Sequence, residues 1–188
     1  MKKSLGAKDI FFPGPISMIV TGAEDNYNVV TVALLGLVNC DPPMLSFTLS
    51  KSRYSCDLLR ENKKISINIA SVNQMKEVDF CGLVSGKKQN KFDNTQLTLT
   101  KIGDEFAPII KESPFHYVGQ VVKEIEFDSM IMYIMEIQDV LIDNDKIDEN
   151  NKINIKHINP LVYCTTVREY WNLNNKIGEG YNEGKAYM

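Results

Sequence analysis

Hydrophobic positions in this chain fall in short runs, and few of the runs keep a helical period. Ile16 to Thr21 is a β-rich run behind Pro15, and the polar stretch Gly22 to Asn28 predicts a turn or loop. Val29 to Val38 is apolar at nearly every position, as expected of a strand buried on both faces. Asp41-Pro42-Pro43 interrupts regular structure, and Met44 to Leu49 resumes as a strand. Ile65, Ile67 and Ile69 alternate with Ser66 and Asn68, which predicts a half-buried strand, and Leu97 and Leu99 alternate with Thr98 and Thr100. Ala107 to Ile110 reads as a strand entry. Phe115 to Phe127 and Met130 to Ile142 read as a hairpin turning at Asp128-Ser129. Leu161 to Thr166 offers a last strand. Helical signals are confined to two places. Ser55 is placed to cap a helix carrying Leu58 and Leu59 and ending near Asn62, and Ser71 and Gln74 have capping-box spacing ahead of Met75, Val78 and Phe80. Ser85 to Asn94 and Asp143 to Lys152 are polar loops, and the tail from about Trp171 holds little core material. About eight strands and two or three short helices, with short connections, predict a closed antiparallel barrel.

Composition agrees with that pattern. The chain has 188 residues, which fits one domain, and 19 Ile and 14 Val stand against 14 Leu and 6 Ala, a β-branched excess that leans towards sheet. With 21 Lys+Arg against 24 Asp+Glu the net charge is -3, which argues against a nucleic-acid binder working through a broadly basic face. No apolar run of signal-peptide length follows the N-terminal lysines, and the longest run, Val29 to Val38, is about half a membrane span, so the expectation is a cytoplasmic protein with no membrane partner. Cys40, Cys56, Cys81 and Cys164 show neither C-x-x-C nor zinc spacing and are expected to be reduced, mostly buried thiols.

Several familiar sites are missing: no G-x-G-x-x-G, no P-loop, no G-x-S-x-G and no H-E-x-x-H. His116, between Phe115 and Tyr117, is expected to be structural. Two clusters remain. Ser50-Lys51-Ser52-Arg53-Tyr54-Ser55 sets hydroxyls, an Arg and a Lys where a helix begins, and free N–H groups with the helix dipole favour an anion there. An ordinary capped helix with solvated charges reads equally well on this segment alone. Ser85-Gly86-Lys87-Lys88-Gln89-Asn90-Lys91-Phe92 offers a tight turn, positive charge and an aromatic anchor, or simply a basic surface loop.

Taken in order, these pieces resemble the flavin reductase-like family, which includes the flavoredoxins. Asn28-Val29-Val30-Thr31-Val32-Ala33 resembles its N-x-x-T strand, and Asp41-Pro42-Pro43 its D-P-P segment. Arg53-Tyr54-Ser55 resembles its R-Y-T segment, and Ile67-Asn68-Ile69 its V-N-I type strand. Cys81-Gly82 with Ser85-Gly86 and then Lys91-Phe92 resembles C-G-x-x-S-G-x-x-x-D-K-F, and Tyr170-Trp171 resembles flavoredoxin-like tails. The resemblance implies a mainly β fold: an FMN-binding split β-barrel, antiparallel and of Greek-key type, across residues 1–188. It implies FMN rather than FAD as cofactor. The implied cofactor-binding residues are Asn28, Thr31, Val32, Ala33, Leu34, Ser50, Ser52, Arg53, Tyr54, Ser55, Ser85, Gly86, Lys91 and Phe92. The phosphate falls to Arg53-Tyr54-Ser55, and the ring's pyrimidine edge to the backbone N–H groups of Val32 to Leu34. No side chain is implied as catalytic, since the flavin carries the chemistry.

Two departures qualify the match. Asn90 stands where the family has the Asp of D-K-F, which argues for a less ordered loop, and Asp128-Ser129 stands where many reductases carry a G-D-H turn, which argues against brisk NAD(P)H oxidation. Three readings follow: an oxidoreductase passing a hydride from NADH or NADPH to flavin N5, a flavoredoxin-type electron carrier serving a protein partner, and a barrel binding another phosphorylated small molecule. The resemblance also implies a homodimer, with Met130 to Tyr133 expected to help close the second chain's site.

Overall fold

In a computed structural model, residues 2–24 and 26–188 are described; Asp25, inside the turn expected at 22–28, lies outside them. In chain order the strands are β1 (Gly14–Pro15), β2 (Ser17–Ala23), β3 (Asn26–Val32), β4 (Leu35–Cys40) and β5 (Pro43–Ser50). After helix α1 (Tyr54–Glu61) comes β6 (Lys64–Ile69), then α2 (Met75–Leu83) behind a short 3-10 turn. There follow β7 (Leu99–Thr100), β8 (Ile109–Ile110), β9 (Phe115–Glu126), β10 (Met130–Ile142), α3 (Ile155–Ile158), β11 (Leu161–Cys164) and β12 (Glu169–Asn172).

Seven strands form one antiparallel sheet in the order β3-β2-β6-β9-β10-β5-β4. Its two edge strands, β3 and β4, are neighbours in sequence with only Ala33 and Leu34 between them, so the sheet has to curl until its edges meet. The amide of Thr48 donates to the Leu34 carbonyl at 3.1 Å and stitches β5 to that joint. The mainly β barrel expected from the sequence is therefore present, with three short helices. The single strand expected over Val29 to Val38 is not. It breaks at Ala33-Leu34, and Leu37 and Val38 are exposed on the edge strand β4 rather than buried on both faces. The apolar run spans two strands at opposite edges of one sheet, a feature that periodicity does not encode. The 22–28 loop shrinks as well: β2 and β3 pair from Ser17↔Val32 to Ala23↔Asn26. Gly22 permits this at φ +107, where a Cβ would lie 2.1 Å from the Asn26 carbonyl oxygen.

Alternation along β2 and β3 serves two cores. Ile19, Val30 and Val32 point into the barrel with Phe47, Ile65, Ile67, Tyr133 and Met135, and α1 contributes Cys56 and Leu59. Met18, Val20 and Val29 point outwards and are covered by Val78 and Cys81 of α2, Leu97, Ile110 and Leu161. Tyr133 stacks on Phe47 at 5.2 Å and Ile131 is buried, so these two residues of the 130–133 run fill their own barrel instead of reaching towards a second chain. Beneath the barrel wall, Asn68 Oδ1 accepts from the Ile110 amide at 2.9 Å and pairs with His116 Nδ1 at 2.8 Å. His116 is thus part of the frame, and burial pushes its pKa down to about 4.

The hairpin expected at 115–142 forms as β9 and β10. The capping box at Ser71 and Gln74 also forms, introducing the 3-10 turn ahead of α2. Beyond the barrel, β12 carries Trp171 into a small sheet with β1 and β11, and residues 173–188 are exposed. All four thiols are unpaired; Cys56 and Cys81 are buried, Cys164 is half-buried and Cys40 is exposed. Among the described residues no helix is long and apolar enough to cross a membrane.

Candidate functional site

The chain leaves β5 in a tight turn, with the Arg53 amide donating to the Ser50 carbonyl at 3.0 Å, and enters α1 at Tyr54. Arg53, not Ser55, occupies the N-cap position, and no side chain caps the helix. The sequence expectation for Ser55 is corrected here. It lies inside the first turn, fully buried, and its Oγ accepts from Thr21 Oγ1 at 2.9 Å and from Asn28 Nδ2 at 2.8 Å. The N–H groups of Tyr54 and Ser55 have no intrahelical acceptor, and the positive end of the helix dipole lies here.

The loop after α2 comes to the same place. A cavity of about 270 Å³ is lined by Asn28, Val30, Ser50, Ser52, Arg53, Tyr54, Ser55, Leu83, Val84, Ser85, Gly86 and Lys91. No carboxylate stands in that lining. Gly86 is required by close approach: a Cβ there would meet Asn28 Oδ1 at 2.2 Å and Tyr54 Cδ1 at 2.9 Å. Arg53 Nη1 donates to the Gly82 carbonyl at 2.7 Å, which spends one of its five N–H donors. Lys91 is buried and its ammonium donates to the carbonyls of Val29 at 2.6 Å and Cys81 at 2.7 Å, leaving a third proton. Burial, and then the nearby Arg53, hold the Lys91 pKa down to about 8 despite the opposing influence of Cys81. Lys87 closes over the outside, pairing with Asp57 at 2.6 Å, with its ammonium 5.9 Å from the Tyr54 ring centroid. That hydrogen bond from Lys87, reinforced by Arg60, holds the Asp57 carboxyl below the usual range.

Nine of the fourteen residues expected from the sequence converge on this cavity: Asn28, Ser50, Ser52, Arg53, Tyr54, Ser55, Ser85, Gly86 and Lys91. Five do not line it. Thr31 donates to the Val78 carbonyl at 2.5 Å beneath α2, Val32 is buried in the barrel, and Phe92 is half-buried against the outer core. Ala33 and Leu34 lie just beyond the far end of β3, about 17–20 Å along the chain from Asn28. Nor is the loop around Asn90 loosely held. The Asn90 side-chain oxygen accepts from the Phe92 amide at 3.1 Å, as an Asp would, and its amide reaches Asp93. The sequence reading missed Thr21 and the apolar wall of Val30, Leu83 and Val84. Thr21 pairs directly with Asn28 across β2 and β3, so the two side chains share a face, a relation visible only once the register is known.

The residues fit an anion. Helix N–H groups, a guanidinium, an ammonium with an unspent proton and several hydroxyls converge without a competing carboxylate, and a glycine keeps the mouth clear. At about 270 Å³ the cavity is below the range of roughly 300–1,000 Å³ usual for whole ligands, so it suits one end of a larger molecule. A larger cleft of about 580 Å³ lies between residues 148–156 and 173–176, but it is walled by exposed segments that include the start of α3, and it shares no lining residue with this cavity.

A split antiparallel barrel with a small donor-lined pocket at the start of α1 defines a class. Residues 10–172 match the flavin reductase like domain, and the chain belongs to that family. It is similar over its whole length to a flavoredoxin from Methanosarcina acetivorans, at 27% identity and TM-score 0.91, with 100% of each chain covered. It is likewise similar to the flavoredoxin of Desulfovibrio vulgaris (Miyazaki F), at 27% identity and TM-score 0.90, covering 98% of this chain and 100% of that one. An FMN-binding protein from Thermus thermophilus shares the fold at 17% identity and TM-score 0.79, with 95% and 97% of the two chains covered.

Proposed function

We propose that this chain binds FMN, with the phosphate in the cavity at the start of α1, and that it is a redox flavoprotein. The observation that carries the reading is the convergence of Arg53, Lys91, Ser55 and the first N–H groups of α1 on one small cavity without carboxylates. The FMN bound by the Thermus thermophilus neighbour supports it. Hydride acceptance at N5 is the chemistry that FMN supplies when bound. The chain binds and orients. Arg53 and Lys91 would hold the phosphate end, Gly86 and Tyr54 would shape its mouth, and β3 leads from Asn28 towards Val32 to Leu34, whose backbone would hold the ring's polar edge. FMN rather than FAD is favoured by the small volume of the cavity, about 270 Å³, which suits a single phosphate end.

For the reaction, we favour hydride transfer from NADH or NADPH to the flavin, in a homodimer. The ring has to lie outside the small cavity, and Leu37 and Val38 on the edge strand β4, with Leu34 just before it, leave exposed apolar side chains for a second copy to cover. The second reading, a flavoredoxin-type carrier that exchanges electrons with a protein partner, is favoured by the full-length similarity to two flavoredoxins and by Asp128-Ser129 at the β9–β10 turn. The absorption spectrum, recorded before and after anaerobic addition of NADH or NADPH, separates them. A yellow protein bleached by either nucleotide is the oxidoreductase. A yellow protein that only dithionite bleaches is the carrier, and a colourless protein that takes up no FMN on titration sinks both.

A further inference from the structure

Thr21 lies outside the cavity, fully buried in the barrel wall on β2. Its hydroxyl donates to Ser55 Oγ at 2.9 Å, and Asn28 Nδ2 donates to the same oxygen at 2.8 Å. The other end of the Asn28 amide, its carbonyl oxygen, lies against Gly86, at the spot a Cβ would need. A serine oxygen has two lone pairs and one hydrogen. With both lone pairs taken, Ser55 can act only as a donor, and among the described residues none accepts its hydrogen. Ser55 lines the cavity, so that hydrogen is left for whatever enters.

We infer that Thr21 is a positioning residue for the phosphate site: by donating to Ser55 it fixes the Ser55 hydroxyl as a donor into the cavity. This inference rests on the FMN reading and deepens it, because it assigns the site's preference for a phosphate oxygen to a side chain that never touches the ligand. Without the Thr21 hydroxyl, one lone pair of Ser55 is free and its hydrogen is no longer forced outwards. A donor set before the ligand arrives costs no reorganisation on binding, whereas a freely turning hydroxyl does.

The test is titration of apo-protein with FMN and with riboflavin, which lacks the phosphate, in wild type, Thr21→Val and Thr21→Ser. The preference for FMN over riboflavin should fall about three- to tenfold in Thr21→Val, the range of one neutral hydrogen bond, and return in Thr21→Ser. In a Ser55→Ala background Thr21→Val should have no further effect on that preference. A purely structural role lowers thermal stability and both affinities together, leaving their ratio unchanged. An unchanged ratio in Thr21→Val, a Thr21→Ser variant as impaired as Thr21→Val, or an undiminished effect in the Ser55→Ala background each overturns the inference. If Thr21→Val fails to fold, Thr21→Ala removes the hydroxyl without adding bulk and carries the same comparison. Wild-type protein that binds FMN no better than riboflavin overturns the phosphate site itself, a different outcome from a wild-type preference that Thr21→Val leaves intact.

Discussion

Lys91 makes FMN affinity depend on pH in a direction that can be worked out. In the free protein its pKa is about 8, against an ordinary value of 10.5. An ammonium–phosphate hydrogen bond contributes about 1.5–3 kcal/mol. At about 1.4 kcal/mol per pK unit, the bound phosphate raises the Lys91 pKa by roughly one to two units, to about 9–10 in the complex. Binding therefore takes up a proton between pH 8 and the raised pKa, and affinity falls as pH rises through that window. At pH 9 only about a tenth of free Lys91 is charged, so FMN affinity should be roughly five- to tenfold weaker than at pH 7. The phosphate is dianionic throughout, with a second pKa near ~6, and burial keeps the neighbouring Cys81 thiol neutral by pushing its pKa up to about 11. The assay is fluorescence titration of apo-protein with FMN and with riboflavin at pH 7 and pH 9. Riboflavin should show no such loss, and Lys91→Met should bind FMN more weakly at pH 7 with the slope abolished. An FMN affinity that stays flat, or a riboflavin affinity that falls in parallel, refutes the placement of Lys91 at the phosphate.

Three further outcomes are expected. Gly86→Ala pushes a methyl into Asn28 Oδ1 at 2.2 Å and Tyr54 Cδ1 at 2.9 Å, so it should cost about 1–3 kcal/mol of stability and at least tenfold in FMN affinity, read by urea unfolding and flavin titration. His116 is neutral when folded, with a pKa of about 4 against 6.5, so the unfolded chain binds more protons between those values and stability is lost as pH falls through them. Unfolding midpoints should record a loss of up to about 3 kcal/mol from pH 6.5 to pH 4, and His116→Gln, which keeps an N–H for Asn68, should flatten it. Sedimentation should find a dimer that Leu37→Lys, on the exposed strip of β4, converts to monomer; a wild-type monomer holding stoichiometric FMN would count against the dimer.

Local grammar carried much of this protein. The hairpin at 115–142 and the capping spacing of Ser71 and Gln74 are short-range signals, because pleat and cap geometry repeat within a few residues, and both appear in the structure. The alternation of Ile65, Ile67 and Ile69 does give a strand, but not the half-buried one expected: Ser66 and Asn68 are fully buried too, because the outer core covers the second face of β6. The motif residues of the anion cavity were legible for a related reason: hydroxyls, Arg and glycine at a strand-to-helix turn state a chemistry wherever they occur. Tertiary structure decided what depends on neighbours distant in sequence. The continuous apolar run at 29–38 divides between opposite edges of a curled sheet, so Val30 is core while Leu37 faces outwards. Lys91, written like its neighbours Lys87 and Lys88, is buried on the carbonyls of Val29 and Cys81, residues 62 and 10 positions away. Ser55, written as a cap, is buried between Thr21 and Asn28 because the β2–β3 register sets those two side chains opposite each other. Residue type and spacing determine which groups a segment can offer. Only strand register and burial fix which lone pairs and protons are already spent, and those set the direction in which a buried hydroxyl or ammonium faces its ligand.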